Sequence, residues 1–578
     1  MRYLALASDY DGTLALNGQV DERTLAALER LLDSGRKLIL VTGRELDELL
    51  SVFPRIDLFD RVVAENGALL YRPATKEEKL LGERPPDEFV ALLRARGVGP
   101  ISVGRAIVAT WHPHETVVLE AIRDLGLELQ VIFNKGAVMI LPAGVNKATG
   151  LAAVLPELGL SPHNVVGVGD AENDHAFLRS CECAVAVANA LPMVKETADL
   201  VTAADHGAGV QELIAAMIAD DLQTVEQRLT RHHVLLGMRA DQEVRVRPYG
   251  DSLLIAGSSG SGKSTLAISF LERLVEQKYQ VCVVDPEGDY GTFEDAVTLG
   301  TPQQAPQIDE VIQLLENPEA SAVVNLVALP FGERPSFFVA LLSRLQEMRS
   351  RTGRPHWLLV DETHHVLPAS WQPTSLTLPQ VLEQMIFITV EPHTIAPIAL
   401  ATVDMMVAVG DTPEATVRDF CETVGHCPPS MEAQTLQSRE VLVWPCHTES
   451  VPFRMQVIPG RTERRRHRRK YAEGELPSDR SFYFRGPDGK LNLRAQNLML
   501  FMQIADGVDD ETWMYHLRQG DYVHWFRDKI KDEVLADEAK RIAEQTDLPP
   551  DESRKLIKAA IERDYTLPAS SPSPGGGG

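Results

Sequence analysis

Two aspartates, Asp9 and Asp11 in Asp9-Tyr10-Asp11-Gly12-Thr13-Leu14, close the apolar run Tyr3-Leu4-Ala5-Leu6-Ala7. A carboxylate at Asp9 can attack phosphorus and form an aspartyl-phosphate, which splits one hard displacement into two easier ones. Asp11 can protonate the leaving oxygen and later take a proton from the hydrolytic water. Asp170, in Gly169-Asp170-Ala171-Glu172-Asn173-Asp174, adds a second carboxylate, helped by Asp174, and an oxygen-rich set of this kind suits Mg²⁺. That ion would offset repulsion between an anionic nucleophile and an anionic substrate. Thr42 and Gly43 of Thr42-Gly43-Arg44, Lys147 of Gly144-Val145-Asn146-Lys147, and Asn173 are the expected contacts for the phosphoryl oxygens.

A second phosphate-handling pattern follows far along the chain, Gly257-Ser258-Ser259-Gly260-Ser261-Gly262-Lys263-Ser264, with Thr265 next. Its small residues let main-chain N–H groups surround a triphosphate, Lys263 reaches the β and γ oxygens, and Ser264 offers a hydroxyl to Mg²⁺. Trp357-Leu358-Leu359-Val360-Asp361-Glu362 supplies the other half. Asp361 would hold the magnesium through water, and Glu362 would orient the attacking water. ATP is the expected substrate here. A glutamate directly after the metal aspartate suits hydrolysis coupled to motion better than transfer to an alcohol.

These residues need elements to aim them. The run into Asp9, Lys37–Val41 before Thr42, and Asn164–Val168 before Asp170 read as buried strands, so three polar motifs sit at three strand ends. Open parallel sheets place their ligand crevice at that edge. Asp21 can cap a helix carrying Leu25, Leu28 and Leu32, with Gly35 as its stop. Ser252–Ala256 reads as the strand before the glycine-rich loop, with a helix starting at Ser264. Further strands are expected at Val281–Asp285, Phe387–Val390 and around Val403–Gly410. At 578 residues the chain exceeds one hydrophobic core, and three or four domains are expected. No run approaches the ~18 apolar residues of a membrane span, and Met1–Ala7 is too short for a signal peptide. Six irregularly spaced cysteines suggest reduced thiols in a cytoplasmic protein. Cys421, His426, Cys427, Cys446 and His447 lack the paired spacing of a zinc site. The net charge of −25 argues against a protein that coats nucleic acid with its whole surface.

The first set of motifs resembles the haloacid dehalogenase superfamily of phosphatases over residues 1–218, all four signature motifs appearing in order. Glu65-Asn66-Gly67-Ala68, and the long gap before Lys147, resemble the subclass with an α/β cap between the second and third motifs. The resemblance implies a Rossmann-like core at 1–71 and 144–218 and a cap at 72–143 that chooses the substrate, a small phosphorylated metabolite such as a sugar phosphate or phosphoglycolate. It also implies Mg²⁺ held by Asp9, the Asp11 carbonyl and Asp170. Residues 241–460, after a linker at 219–240, resemble the HerA/FtsK group of RecA-like ring-forming ATPases. That likeness implies a homo-oligomer, a hexamer with ATP between neighbours, an arginine in trans (Arg344, Arg349, Arg351 or Arg354), and DNA as a possible partner. Thr363 stands where that group often has alanine, a change expected to be harmless.

Residues 461–470 carry seven Arg or Lys and one Glu. Such a run can neutralise phosphates or form a solvated helix or a subunit contact. A small α-rich domain is expected at 471–567, with a strand at Ser481–Arg485 and a helical face of Leu498, Phe501, Ile504 and Ala505. Trp513, Tyr515, Trp525 and Phe526 read as core, and His112, His114 and His516 as structural histidines. Residues 568–578 are expected to be disordered. The chain thus reads as an α/β phosphatase joined to an ATPase. A polynucleotide kinase–phosphatase and a nucleotide-organised scaffold without turnover are the alternatives.

Overall fold

The computed structural model describes the chain apart from residues 135, 259–260, 371–382, 432–435, 438, 447–449, 462–475, 477–480, 488, 531, 546–547 and 566–578. The basic run beyond Arg461 and the C-terminal tail therefore lie outside the described residues. The chain forms two units, Met1–Ile458 and Pro459–Gly578.

Strands covered on both faces must be apolar throughout, which is how the runs before Asp9, Thr42 and Asp170 read. The first sheet has the strand order Leu200–Val201, Cys183–Ala186, Val165–Gly169, Ala5–Ser8, Lys37–Val41, Arg61–Ala64, Leu69–Arg72, Glu77–Leu80. The first six are mutually parallel and the last two antiparallel. Ser8 lies opposite both Val168 and Leu40, so the three motif-bearing strands end level at one edge. The helix Glu22–Asp33 packs on this sheet, capped by Asp21, which accepts from the Thr24 N–H at 2.8 Å. Its buried face is Thr24, Ala27, Leu28 and Leu31, so Leu25 and Leu32 of the expected stripe lie at its margins.

Because Glu77–Leu80 extends the core sheet, the inserted layer has its own sheet only from Ser102 onward, later than the boundary expected at residue 72. Four antiparallel strands, in the order Ser102–Val103, Val108–Trp111, Ala137–Pro142, Leu129–Asn134, pack with helices Asp87–Ala95 and Glu115–Asp124. The buried Glu65 ties this layer to the core, accepting from the N–H groups of Arg105, Ala106 and Ile107 at 3.0, 2.7 and 3.0 Å. Arg105 also grips Asp47, at 2.9 and 3.0 Å.

The second sheet has eleven strands. Met405–Val409, Leu253–Gly257, Met385–Thr389, Trp357–Val360, Val281–Asp285, Ala322–Asn325 and Val297–Leu299 form the parallel part. Four antiparallel strands continue it, and one of them, Val234–Arg239, comes from the segment expected as linker.

The two sheets meet around a buried carboxylate. Glu182 pairs with the Arg2 guanidinium and, at 2.5 Å, with His163 Nδ1. His163 Nε2 contacts the Gln277 carbonyl at 2.6 Å; carboxylate and carbonyl oxygens only accept, so the ring donates to both. Tyr279 stacks on His163 with centroids 3.7 Å apart, and Arg2 lies 3.6 Å over the Tyr249 ring. Arg354 Nη2 donates across the same junction to the Gly159 carbonyl at 2.8 Å.

In the C-terminal unit, Phe482–Phe484 pairs with Leu493–Ala495, and helices follow from Leu498 to Tyr565. Trp513, Trp525 and Phe526 are buried there with Phe501 and Tyr522, as expected of core residues, whereas Tyr515 is half-buried. His516 is structural: its Nδ1 bonds Asp521 at 2.7 Å, and its Nε2 accepts the Arg485 N–H at 3.0 Å.

His163 and Arg2 hold the Glu182 carboxyl well below its ordinary value of 4.5, against the opposing effect of burial. A depressed carboxyl contributes stability that is complete above the unfolded value and is lost as pH falls through the folded one. Glu182→Gln is therefore expected to cost about 3–5 kcal/mol, by removing the buried carboxylate that His163 and Arg2 share. Thermal melts from pH 7 down to pH 3 should show a lower melting temperature for the variant at neutral pH and a shallower acid decline than the parent.

Candidate active sites

Lys147 opens the helix Lys147–Val154, where a cation meets the positive end of the helix dipole. Two carboxylates offset this: its Nζ donates to Asp9 Oδ1 and to Asp174 Oδ1, each at 2.6 Å. They outweigh the effect of burial and raise Lys147 above its ordinary value, so it is an ammonium. The second Asp174 oxygen accepts from the N–H groups of Asp170 and Ala171, both at 2.9 Å. Asp174 thus aims the lysine and braces the loop. Asp170 is buried and accepts from Thr13 Oγ1 at 3.3 Å. Carboxylate oxygens of Asp9, Asp170 and Asp174 lie within 4.8 Å of one another. Burial and Asp174 push the Asp9 carboxyl up to about 8, against the pull of Lys147. Three carboxylates facing one ammonium leave an excess of negative charge, which fits a divalent cation held by oxygen ligands.

The remaining expected groups gather at the same sheet edge. Thr42 is buried, and its Oγ1 accepts the Arg44 N–H at 3.1 Å. A Cβ on Gly43 would stand 3.2 Å from Cε of Met139, a residue of the inserted layer, and 3.5 Å from Asn173 Nδ2. Asn173 Nδ2 donates to Asn66 Oδ1 at 3.0 Å, while Asn173 Oδ1 and Asn66 Nδ2 are buried without a partner. Asp11 is the accessible member, its side chain 43% exposed. Arg44, Glu65, Asn66 and Met139 had no assigned role; three of them stand inside motifs already quoted, and Met139 carried no signal in its type. Gly67, at φ +106°, is required: a Cβ there would lie 2.0 Å from the Asn146 carbonyl oxygen. His112 is exposed and bonds Glu115, and the half-buried His114 bonds the Gly99 carbonyl.

In the second sheet, a Cβ on Gly257 would lie 1.9 Å from the Val409 carbonyl oxygen, so only glycine lets the loop leave its strand there. Lys263 Nζ donates to the carbonyls of Gly257 and Ser258 at 2.9 and 3.1 Å. Gly262, Lys263, Ser264 and Thr265 turn into the helix Lys263–Glu276; Ser259 and Gly260 lie outside the described residues. Asp361 Oδ1 and Ser261 Oγ are buried without a partner, which fits a hydrated cation and a phosphate oxygen. Burial, with Glu362 beside it, pushes Asp361 up to about 7. Glu362 Oε2 pairs with His364 Nδ1 at 3.4 Å. Thr363 Oγ1 donates to the Val360 carbonyl at 2.8 Å and accepts the Ile388 N–H at 3.1 Å, bracing this strand end. Of the four arginines considered for an action in trans, Arg349 and Arg354 donate to carbonyls of their own chain. Arg344 and Arg351 are exposed, beside Asp309 and Glu316. Among the described residues, Cys421, Cys427 and Cys446 belong to no converging metal-ligand group, and no helix is long and apolar enough to cross a membrane.

Residues 6–91 and 118–214 match the family of haloacid dehalogenase-like hydrolases, and residues 238–348 match the central domain of helicase HerA. A phosphoglycolate phosphatase of Methanothermobacter thermautotrophicus is 32% identical over 220 residues, 36% of this chain and 96% of that protein. Phosphoglycolate phosphatase 2 of Saccharolobus solfataricus is 32% identical over 226 residues, 37% of this chain and 93% of its own length. Among solved structures, a haloacid dehalogenase-like hydrolase from Bacteroides thetaiotaomicron is 19% identical, covering 37% of this chain and 100% of its own, with a TM-score of 0.34. The chain belongs to the haloacid dehalogenase-like hydrolases through its N-terminal module. It is a phosphatase of that type fused to a HerA-like ATPase domain.

Gly67→Ala is expected to push the Asn146 carbonyl, and Lys147 with it, away from Asp9. A displacement of about 1 Å at this site should lower phosphatase kcat about 100-fold, with ATP hydrolysis by the same preparation unchanged.

Proposed function

We propose that this chain is a Mg²⁺-dependent phosphatase for small anionic phosphomonoesters of the phosphoglycolate class, carried on an oligomeric ATPase. The observation that carries the phosphatase reading is the buried Lys147 ammonium held between Asp9 and Asp174 beside Asp170. Met139 packed against Gly43 under a layer latched by Glu65 favours a small leaving group. The two phosphoglycolate phosphatases above support the choice of substrate class.

In this reading Asp9 attacks phosphorus and carries the phosphoryl group as an acyl phosphate. Asp11 gives a proton to the departing alkoxide and then takes one from the water that attacks the aspartyl-phosphate. Lys147 and Thr42 hold the equatorial oxygens as their charge shifts, and Asp174 keeps Lys147 aimed. Asp9, the Asp11 carbonyl and Asp170 would hold the Mg²⁺, which when bound supplies charge neutralisation between nucleophile and phosphate. In the ATPase module Lys263 would bind the β and γ oxygens, Ser264 and Asp361 would hold the cation, and Glu362 would orient water. The HerA match supports an oligomer, a hexamer in this reading, with Arg344 or Arg351 as the exposed candidates for contact with a neighbour and DNA as the candidate polymer.

The two activities should separate. Asp9→Asn is expected to abolish release of phosphate from phosphoglycolate, by more than 1,000-fold, while ATP turnover persists; Lys263→Ala should do the reverse. Phosphoglycolate hydrolysis surviving in Asp9→Asn would sink the aspartyl-phosphate assignment.

A further inference from the structure

Arg44 does more in this structure than the mechanism above uses. Its Nε and Nη2 donate to Asp11 Oδ2 and Oδ1 at 2.6 and 2.7 Å, and its Nη1 donates to Glu48 Oε1 at 2.6 Å. The guanidinium sits 5.4 Å over the Tyr10 ring, and the side chain is 18% exposed. Its main-chain N–H is tied to Thr42, so the fork starts from the phosphate-holding loop itself.

A bidentate guanidinium–carboxylate pair is strong and geometrically specific. Here it also occupies the group expected to move the proton. With both oxygens of Asp11 engaged as acceptors, the carboxylate must leave the fork and take up a proton from water before it can deliver one to a leaving oxygen. A neutral leaving group would make that release costly, because the part-buried Arg44 would keep only Glu48. A leaving group that brings its own carboxylate replaces one anion by another.

We propose that Arg44 is the specificity-determining residue of the phosphatase site: it binds a carboxylate carried by the leaving group, and that exchange frees Asp11 for proton transfer. The inference rests on the substrate class given under the proposed function. The reach is suitable. A leaving oxygen within hydrogen-bond distance of Asp11 is two consecutive hydrogen bonds from the Arg44 donors, roughly 5–6 Å. In phosphoglycolate a single CH₂ separates the ester oxygen from the carboxylate, which can span that gap without lifting the cap.

The test compares kcat/KM for 2-phosphoglycolate and for ethyl phosphate, which has the same carbon count and no carboxylate. It uses the full chain and its Arg44→Gln and Arg44→Lys variants, with thermal melts and ATP turnover reporting the fold. The parent is expected to prefer phosphoglycolate by roughly 10- to 100-fold, the range of one charge-assisted interaction. Arg44→Gln should shrink that preference about tenfold or more, mainly through KM for phosphoglycolate. Ethyl phosphate should lose only what misplacing Asp11 costs. Arg44→Lys, which keeps the charge without the fork, should fall between; if Arg44→Gln does not fold, the lysine variant's ratio decides. Equal proportional losses on both substrates would overturn the inference and leave the substrate class standing. A parent that cleaves ethyl phosphate as well as phosphoglycolate would overturn both.

Discussion

A fully buried carboxylate needs its cations at hand, and Glu182 has Arg2 and His163 on it, with His232 at 4.0 Å. Much else in the first unit follows from that requirement. Arg2 and His163 come just before the strands Ala5–Ser8 and Val165–Gly169, which end at Asp9 and Asp170. Across the junction, Tyr279 and His356 precede the strands Val281–Asp285 and Trp357–Val360, the second of which ends at Asp361. The two sheets therefore meet at the amino ends of the strands that carry their chemistry. Each crevice stands a strand length away, roughly 15 Å, and neither opens at the contact. Two sites so arranged share a scaffold and not a pool of substrate.

The phosphatase crevice repeats the same electrostatic theme with the balance reversed. At the junction, cations gather on one carboxylate; at Lys147, carboxylates gather on one ammonium. A surplus of negative charge is tolerable only where an ion or solvent completes it, which is why this cluster sits at an open sheet edge. Asp174 shows how the shortage of cations is managed, since two main-chain N–H groups satisfy one of its oxygens and Lys147 the other. The orphaned oxygen of Asp361 marks the corresponding need in the ATPase module.

What the sequence made legible was whatever is local. The strand Lys37–Val41 has the bounds its apolar run gives, and Asp21 caps the helix it precedes. Asp9, Thr42 and Asp170 meet because parallel strands of matched register end together, a rule that needs only order and strand length, whereas Lys147 arrives from the first turn of a helix. Contacts between distant residues were not legible. Arg2 finds Glu182 across 180 positions, and Glu65 latches main-chain N–H groups whose side chains carry no message. Glu77–Leu80, two glutamates, a lysine and a leucine on an exposed hairpin, has none of the apolar pattern that announces a core strand, yet it extends the core sheet.

The junction also limits how the two modules can move. The helix Lys263–Glu276 begins at the residue that would hold nucleotide and ends one residue before the contact, because Gln277 offers its carbonyl to His163. His163 is bound to Glu182, and Val165 begins the strand to Asp170 two residues later. The links in that series are a part-buried hydrogen bond, a buried ion pair and regular elements. Pulling His163 off Glu182 would break a buried, charge-assisted hydrogen bond, although Arg2 and the Tyr279 hydroxyl would remain on the carboxylate. The fusion joins the two catalytic sheets by an electrostatic clasp, not by a tether.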